Sequence, residues 1–180
     1  MIHHYKVKIS KSMKEEAKEL ASKMIKMAFI HNCKHVFTVK SQSESIYNGF
    51  LGQIVYRKYL LKTFYQFTER LVIDGRGDGG IDFIVKGNKV DVKTSKMQRL
   101  YEDTAWNNGY FFLLNRYQVN KLKSDLFACV QLSKNYKIGY VMGHITPKEA
   151  IEFGIKHNSE YSQNFNVLFS DLYMNIEVKE

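Results

Sequence analysis

Residues 81 to 93 read Ile81-Asp82-Phe83-Ile84-Val85-Lys86-Gly87-Asn88-Lys89-Val90-Asp91-Val92-Lys93, and this stretch decides the fold. Ile81, Phe83 and Val85 alternate with Asp82 and Ile84. Gly87-Asn88 supplies a tight turn, and Val90 and Val92 then alternate with Asp91 and Lys93. Period-two alternation on both sides of a short glycine turn is the pattern of a β-hairpin. On the second strand it turns Val90 and Val92 to one side of a sheet and Asp91 and Lys93 to the other. Asp82 lies on the partner strand, so two carboxylates and one ammonium are expected close together.

Working upstream, Phe67 to Ile73 reads as a strand, ended by the glycine-rich turn Asp74-Gly75-Arg76-Gly77-Asp78-Gly79-Gly80. Before it, Ser41 with Glu44 forms a capping box that opens a helix whose apolar register runs to about Phe64. Gly49 and Gly52 lie inside that helix. Each costs about 1 kcal/mol relative to alanine, so their presence points to close backbone approach to a neighbour. Ser12 with Glu15 opens an earlier amphipathic helix over about 12–30, whose Lys14, Lys18, Lys23 and Lys26 read as a solvated face.

Downstream, Tyr110 to Leu114, Leu126 to Leu132 and Ile138 to Met142 are apolar runs of strand length. Thr146, Pro147 and Glu149 combine an N-cap, a proline at the first helical position and the reciprocal carboxylate. That helix is expected to run to about Phe153 and stop at Gly154, with a weak strand at Met174 to Val178 after it. The order implies an α/β fold, a mixed sheet of about five strands flanked by helices.

The chain has 180 residues, one proline and 44% hydrophobic residues, enough for one domain with a buried core. We take 1–180 as that domain, with its core at about 41–155 and the N-terminal helix packed on it. No stretch has the roughly 20 apolar residues of a membrane span, and Met1 to Lys8 lacks the apolar centre of a signal peptide. A soluble intracellular protein, cytoplasmic or nucleoid-associated, is expected. Cys33 and Cys129 read as core thiols. His3, His4, His31, His35 and His144 show no catalytic spacing, His144 being expected to pack near the Thr146 cap. An excess of 27 Lys and Arg over 18 Asp and Glu, a net charge of +9, favours a polyanionic partner through phosphate neutralisation.

Two carboxylates brought together repel each other unless a cation lies between them, and oxygen-only ligands suit Mg²⁺ or Mn²⁺. Asp82, a hairpin, then Asp91-Val92-Lys93 resembles the motif of the PD-(D/E)xK nuclease superfamily, whose restriction-endonuclease-like fold is a mixed four- or five-stranded sheet flanked by helices. The resemblance implies a metal-dependent nuclease, an endonuclease, acting on phosphodiester bonds in DNA, with RNA as a further candidate. It implies Asp82, Asp91 and the Val92 carbonyl as ligands of Mg²⁺ or Mn²⁺, and Lys93 as the residue that orients water or stabilises the phosphorane. Family members commonly carry an acidic ligand after a glycine on the preceding helix. Gln53 occupies that place here, and Glu44, nine helical residues away, faces nearly opposite. The missing charge leaves a non-catalytic nucleic-acid-binding module as the alternative. Arg76, Lys86, Lys89, Lys96 and Arg99 are candidate phosphate contacts, Tyr101 and Trp106 candidate stacking residues, and cutting both strands symmetrically would call for a homodimer.

Overall fold

The computed structural model describes residues 4–30, 40–71, 81–97, 111–115, 119, 123–157 and 164–177. The element order is β1 (Tyr5–Lys8), α1 (Lys11–Ile30), α2 (Lys40–Lys62), β2 (Phe67–Glu69), β3 (Phe83–Val85), β4 (Asn88–Lys96), β5 (Phe111–Asn115), β6 (Leu126–Leu132), β7 (Ile138–Ile145), α3 (Pro147–His157) and β8 (Asn164–Leu168). Six strands form one mixed sheet in the order β1-β7-β6-β4-β3-β2, and β5 pairs with β8 in a separate two-stranded sheet. Among the described strands only β4 and β6 run parallel; β2, β3 and β4 form an antiparallel meander.

Alternation gives this sheet two apolar faces. Phe83, Val85, Val90 and Val92 face a core built with Leu51, Ile54, Val55 and Leu60 of α2 and Met13, Ala17 and Ala21 of α1. The opposite face, with Phe127 and Cys129 of β6 and Tyr140 and Met142 of β7, packs against Phe112, Ala150, Phe165 and Val167 from the second layer. A sheet covered on both faces explains why β6 is almost continuously apolar, Leu126 to Val130 being buried without a break.

Several expectations need correction. The sheet has six strands because Tyr5-Lys6-Val7-Lys8, though short, adds to β7 in register Val7↔Gly139. The Met174 to Val178 strand does not form among the described residues. The side chains of the hairpin turn take that segment's carbonyls instead: Asn88 Nδ2 donates to the Glu177 carbonyl and Lys86 Nζ to that of Ile176. The turn itself is Lys86-Gly87, both with positive φ (48° and 82°), the pairing that matches strand twist in a two-residue hairpin. The N-cap of α1 is Ser10, whose Oγ accepts the Met13 N–H at 3.2 Å, and Ser12 lies inside the helix. Gly154 does not end α3, which continues to His157. A side chain there would collide with Phe165 of β8, so the glycine serves packing. The Thr146 cap forms as expected: Glu149 N–H donates to Thr146 Oγ1 at 3.2 Å, and Thr146 N–H to Glu149 Oε2 at 2.9 Å. The turn at 74–80, Cys33, His3, His31, His35, Tyr101 and Trp106 lie outside the described residues. Among the described residues no helix is long and apolar enough to cross a membrane.

His144 of β7 is fully buried between Tyr56 and Tyr173. Its Nδ1 donates to the Tyr173 carbonyl at 3.1 Å, which leaves Nε2 to accept the Tyr56 hydroxyl at 2.8 Å. Burial lowers its pKa from 6.5 to about 4, so the folded protein holds it neutral. The unfolded chain protonates it first, so its contribution is fully present above pH 6.5 and is lost as pH falls through that value toward about 4. The loss amounts to something on the order of 3 kcal/mol. Chemical denaturation between roughly pH 7 and pH 4.5 should give a shallower dependence of stability on pH in His144→Asn than in the parent. Equal slopes would contradict a neutral buried imidazole.

Candidate active site

The hairpin expected from the sequence positions the candidate residues, but not by simple alternation. Phe83 is the register partner of Val90, and the Asp82 N–H also donates to the Val90 carbonyl, at 2.9 Å. Two consecutive residues thus oppose one, the arrangement of a β-bulge, which takes a side chain out of the alternating pattern. The Asp82 carboxylate takes the place of the next backbone acceptor: its Oδ2 accepts the Val92 N–H at 2.7 Å. Asp82 therefore lies at the edge of β4 where β3 leaves off, close to the plane of the sheet.

The α2 helix reaches the same carboxylate from one face. Gln53 Nε2 donates to Asp82 Oδ1 at 2.7 Å, so both carboxylate oxygens accept hydrogen bonds from named donors. The glycine before Gln53 explains how the helix comes so close. A Cβ at Gly52 would fall on the Thr94 side chain of β4, whereas nothing lies within 4 Å of one at Gly49. The sequence expectation of close approach therefore holds for Gly52 and fails for Gly49.

From the other face of β4, Lys93 Nζ meets Asp91 Oδ2 at 2.8 Å, with only 6% of the Asp91 side chain and 20% of the Lys93 side chain exposed. The ammonium also lies 5.7 Å from the centre of the Phe127 ring, a favourable cation–π placement. Cys129, the register partner of Lys93 on β6, is fully buried, and burial pushes its thiol pKa up, partly offset by Lys93. Asp82 and Asp91, 3% and 4% exposed, are thus buried charges drawn to one peptide. Asp82 accepts the N–H of Val92, and Asp91 supplies the other half of that peptide. The Lys93 ammonium pairs with Asp91.

The remaining candidates are spread out. Lys86 is at the hairpin turn, bonded to the Ile176 carbonyl and 4.6 Å from the Tyr65 ring centre. Lys89 is clamped through its backbone by Asp125, whose Oδ2 accepts its N–H at 2.8 Å, while its side chain is exposed. Lys96 Nζ binds Glu44 Oε1 at 2.7 Å, so Glu44 faces β4 and the end of the β6–β7 turn instead of serving as the capping carboxylate of α2. Arg76 and Arg99 lie outside the described residues. Sequence reading missed Arg70, which lines a cavity of about 160 Å³ with Gln53, Asp82, Gly49 and Phe50, and whose N–H donates to the Asp82 carbonyl. No spacing rule links Arg70 to the hairpin, because β2 brings it there.

The two carboxylates and the Val92 carbonyl are hard oxygen donors, the donor type that Mg²⁺ and Mn²⁺ prefer. Among the described residues, no group of three or more His, Cys, Asp or Glu side chains is placed to hold a metal ion. Gln53 meets Asp82 as a neutral amide donor. No family model, curated protein or solved structure matches the chain.

The contrast between the two glycines is testable. Gly49→Ala should raise stability by about 0.5–1 kcal/mol through helix propensity. Gly52→Ala should lower it by about 1–3 kcal/mol through overpacking against Thr94. Urea unfolding of the two variants measures both, and equal effects would refute the close approach that brings Gln53 to Asp82.

Proposed function

We propose that the chain is a metal-dependent nuclease of the PD-(D/E)xK type, hydrolysing phosphodiester bonds in DNA with one Mg²⁺ or Mn²⁺ ion. The observation that carries this reading is the pair of buried carboxylates gathered at the Asp91–Val92 peptide beside a single lysine ammonium. A surface ion pair would need no function, but this one is desolvated. A buried charge pair contributes little net stability over an apolar replacement, so its presence calls for a reason other than folding. The mixed six-stranded sheet with its helices agrees with the resemblance at the level of the α/β class.

Asp82, Asp91 and the Val92 carbonyl would hold the ion. When bound, it would polarise the scissile phosphate and lower the pKa of a bound water. The chain's own groups divide the remaining work. Gln53 fixes the rotamer of Asp82 through its amide. The Val92 N–H holds the same carboxylate against β4. Lys93, anchored by Asp91 and partly exposed, presents a fixed positive charge where negative charge grows on the phosphorane. Arg70, at the mouth of the small cavity, offers a second cation to the substrate backbone.

Gln53 favours one second reading, a binding module on the same architecture that does not cut, because a neutral amide stands where the resemblance expects a charged ligand. Incubation with plasmid, single-stranded and branched DNA, with and without Mg²⁺ or Mn²⁺, separates the two. We expect metal-dependent cutting that falls by roughly 10²-fold or more in Asp91→Asn and Lys93→Gln. These changes remove one charge of the pair, as alanine would, but keep the side chain's size and a hydrogen-bonding amide beside the charge that remains. Full-rate cleavage in either variant rejects the nuclease assignment, and binding without metal-dependent cutting favours the second reading.

A further inference from the structure

Away from the carboxylates, the end of β4 forms one wall of a second polar cleft. A cavity of about 600 Å³ is lined by Lys96 and Met97 at the end of β4, Glu44, Ser45 and Asn48 of α2, and Lys134 of the β6–β7 turn. It meets a second groove of about 690 Å³ between α1 and α2, with Glu44 lining both. Lys11, Lys14 and Lys18 edge that groove, and Tyr47 and Tyr136 lie within it. The lysine face of α1, which reads as simply solvated in the sequence, therefore borders a concave surface containing two aromatic rings.

The rings are set for this. Tyr47 and Tyr136 meet edge to face at 5.6 Å, and Lys96 Nζ lies 4.3 Å from the centre of the Tyr136 ring. The Tyr136 hydroxyl is held by Glu44 Oε1 at 3.0 Å and Asn48 Oδ1 at 2.9 Å, which fixes the ring. Tyr136 has φ of 54°, in the left-handed region that bulky residues seldom occupy. Backbone in sparsely populated regions costs about 1–3 kcal/mol and tends to occur where function needs a particular side-chain position. Five lysines outnumber two glutamates around the combined surface.

We propose that this aromatic and basic cleft binds an unpaired nucleic-acid strand, with Lys96 and Lys134 on its phosphates and the Tyr47–Tyr136 pair supporting a base. The proposal rests on the reading of nucleic acid as substrate and names its form, a strand out of the duplex. An unpaired strand exposes the π-faces that stacking requires, whereas duplex DNA keeps its bases from such a floor. Along β4, Lys96 is three residues beyond Lys93, roughly 10 Å, and alternation sets it on the α2 face, the face from which Gln53 reaches Asp82, with Lys93 on the other. Glu44 competes with phosphate for Lys96 and sets the strength of that contact.

Fluorescence anisotropy tests the cleft in EDTA, without cleavage, using labelled oligothymidylate and oligouridylate of about 20 nucleotides and a duplex of the same length. We expect single strands to bind tighter than duplex. Tyr136→Asn, which tolerates the left-handed turn, should weaken them roughly tenfold. Lys96→Ala and Lys134→Ala should each lower the slope of log affinity against log salt by about 0.7, and Glu44→Gln should tighten binding. Circular dichroism melts check that each variant is folded, and Lys134, being exposed, carries the least risk. Failure of wild type to bind single strands, or affinities and salt slopes unchanged in Tyr136→Asn and Lys134→Ala, overturns the proposal. Failure of the nuclease reading shows separately, as cleft-dependent binding with no cutting in Mg²⁺ or Mn²⁺. The thymidylate and uridylate arms show whether DNA or RNA is preferred.

Discussion

The hydrogen bond from the Val92 N–H to the Asp82 carboxylate is the constraint on which the site depends. β4 passes beyond the end of β3, and its next outward N–H would face no backbone acceptor. A buried donor without a partner costs about 1–3 kcal/mol, so the side chain that fills the gap is held firmly. The bulge at Asp82 and Phe83 makes this possible by turning the carboxylate out of the alternating pattern. The same carboxylate then receives Gln53, and Gln53 can reach it only because Gly52 lets α2 settle against Thr94. One missing ladder bond thus ties a helix, a bulge and the central strand to one pair of oxygens.

The ion pairs on this scaffold differ in kind. Arg57, one turn after Gln53 on α2, is bonded to Glu16 of α1 at 2.6 Å and to Glu69 of β2 at 3.2 Å. That network joins three elements at their periphery and needs no chemistry to explain it. Asp91 and Lys93 are both on β4, two residues apart, and the Lys93 ammonium also lies over the Phe127 ring of β6. The pair is more deeply desolvated than the Arg57 network, with 6% and 20% of its side chains exposed against 24% to 40% there.

How far the sequence reveals this depends on the range of the interactions. The hairpin, the second helix, β6 and the Thr146 cap come from patterns within a dozen residues, and all are legible. Thr146 and Glu149 show it best, because cap and reciprocal carboxylate lie three residues apart. β1 and β8 carry the right alternation, in Tyr5-Lys6-Val7-Lys8 and Asn164-Phe165-Asn166-Val167, but short segments gain strand character only from a partner distant in the chain. Asp82, Asp91, Lys93 and Gln53 could be nominated from spacing. The bulge that takes Asp82 out of the alternation could not, nor could Arg70 or Tyr136, which reach their places through tertiary folding. Glu44 was misread for the same reason: a plausible local cap loses to an ammonium from β4.

The proposed role of Asp82 and Asp91 is to hold one hard divalent cation. Electron paramagnetic resonance of Mn²⁺ titrated into the purified protein reads this without reference to any substrate. One site per chain is expected, saturable at millimolar or lower Mn²⁺, displaced by excess Mg²⁺ and lost in both Asp82→Asn and Asp91→Asn. A signal of free Mn²⁺ at every concentration, or a bound signal that survives both substitutions, would contradict it.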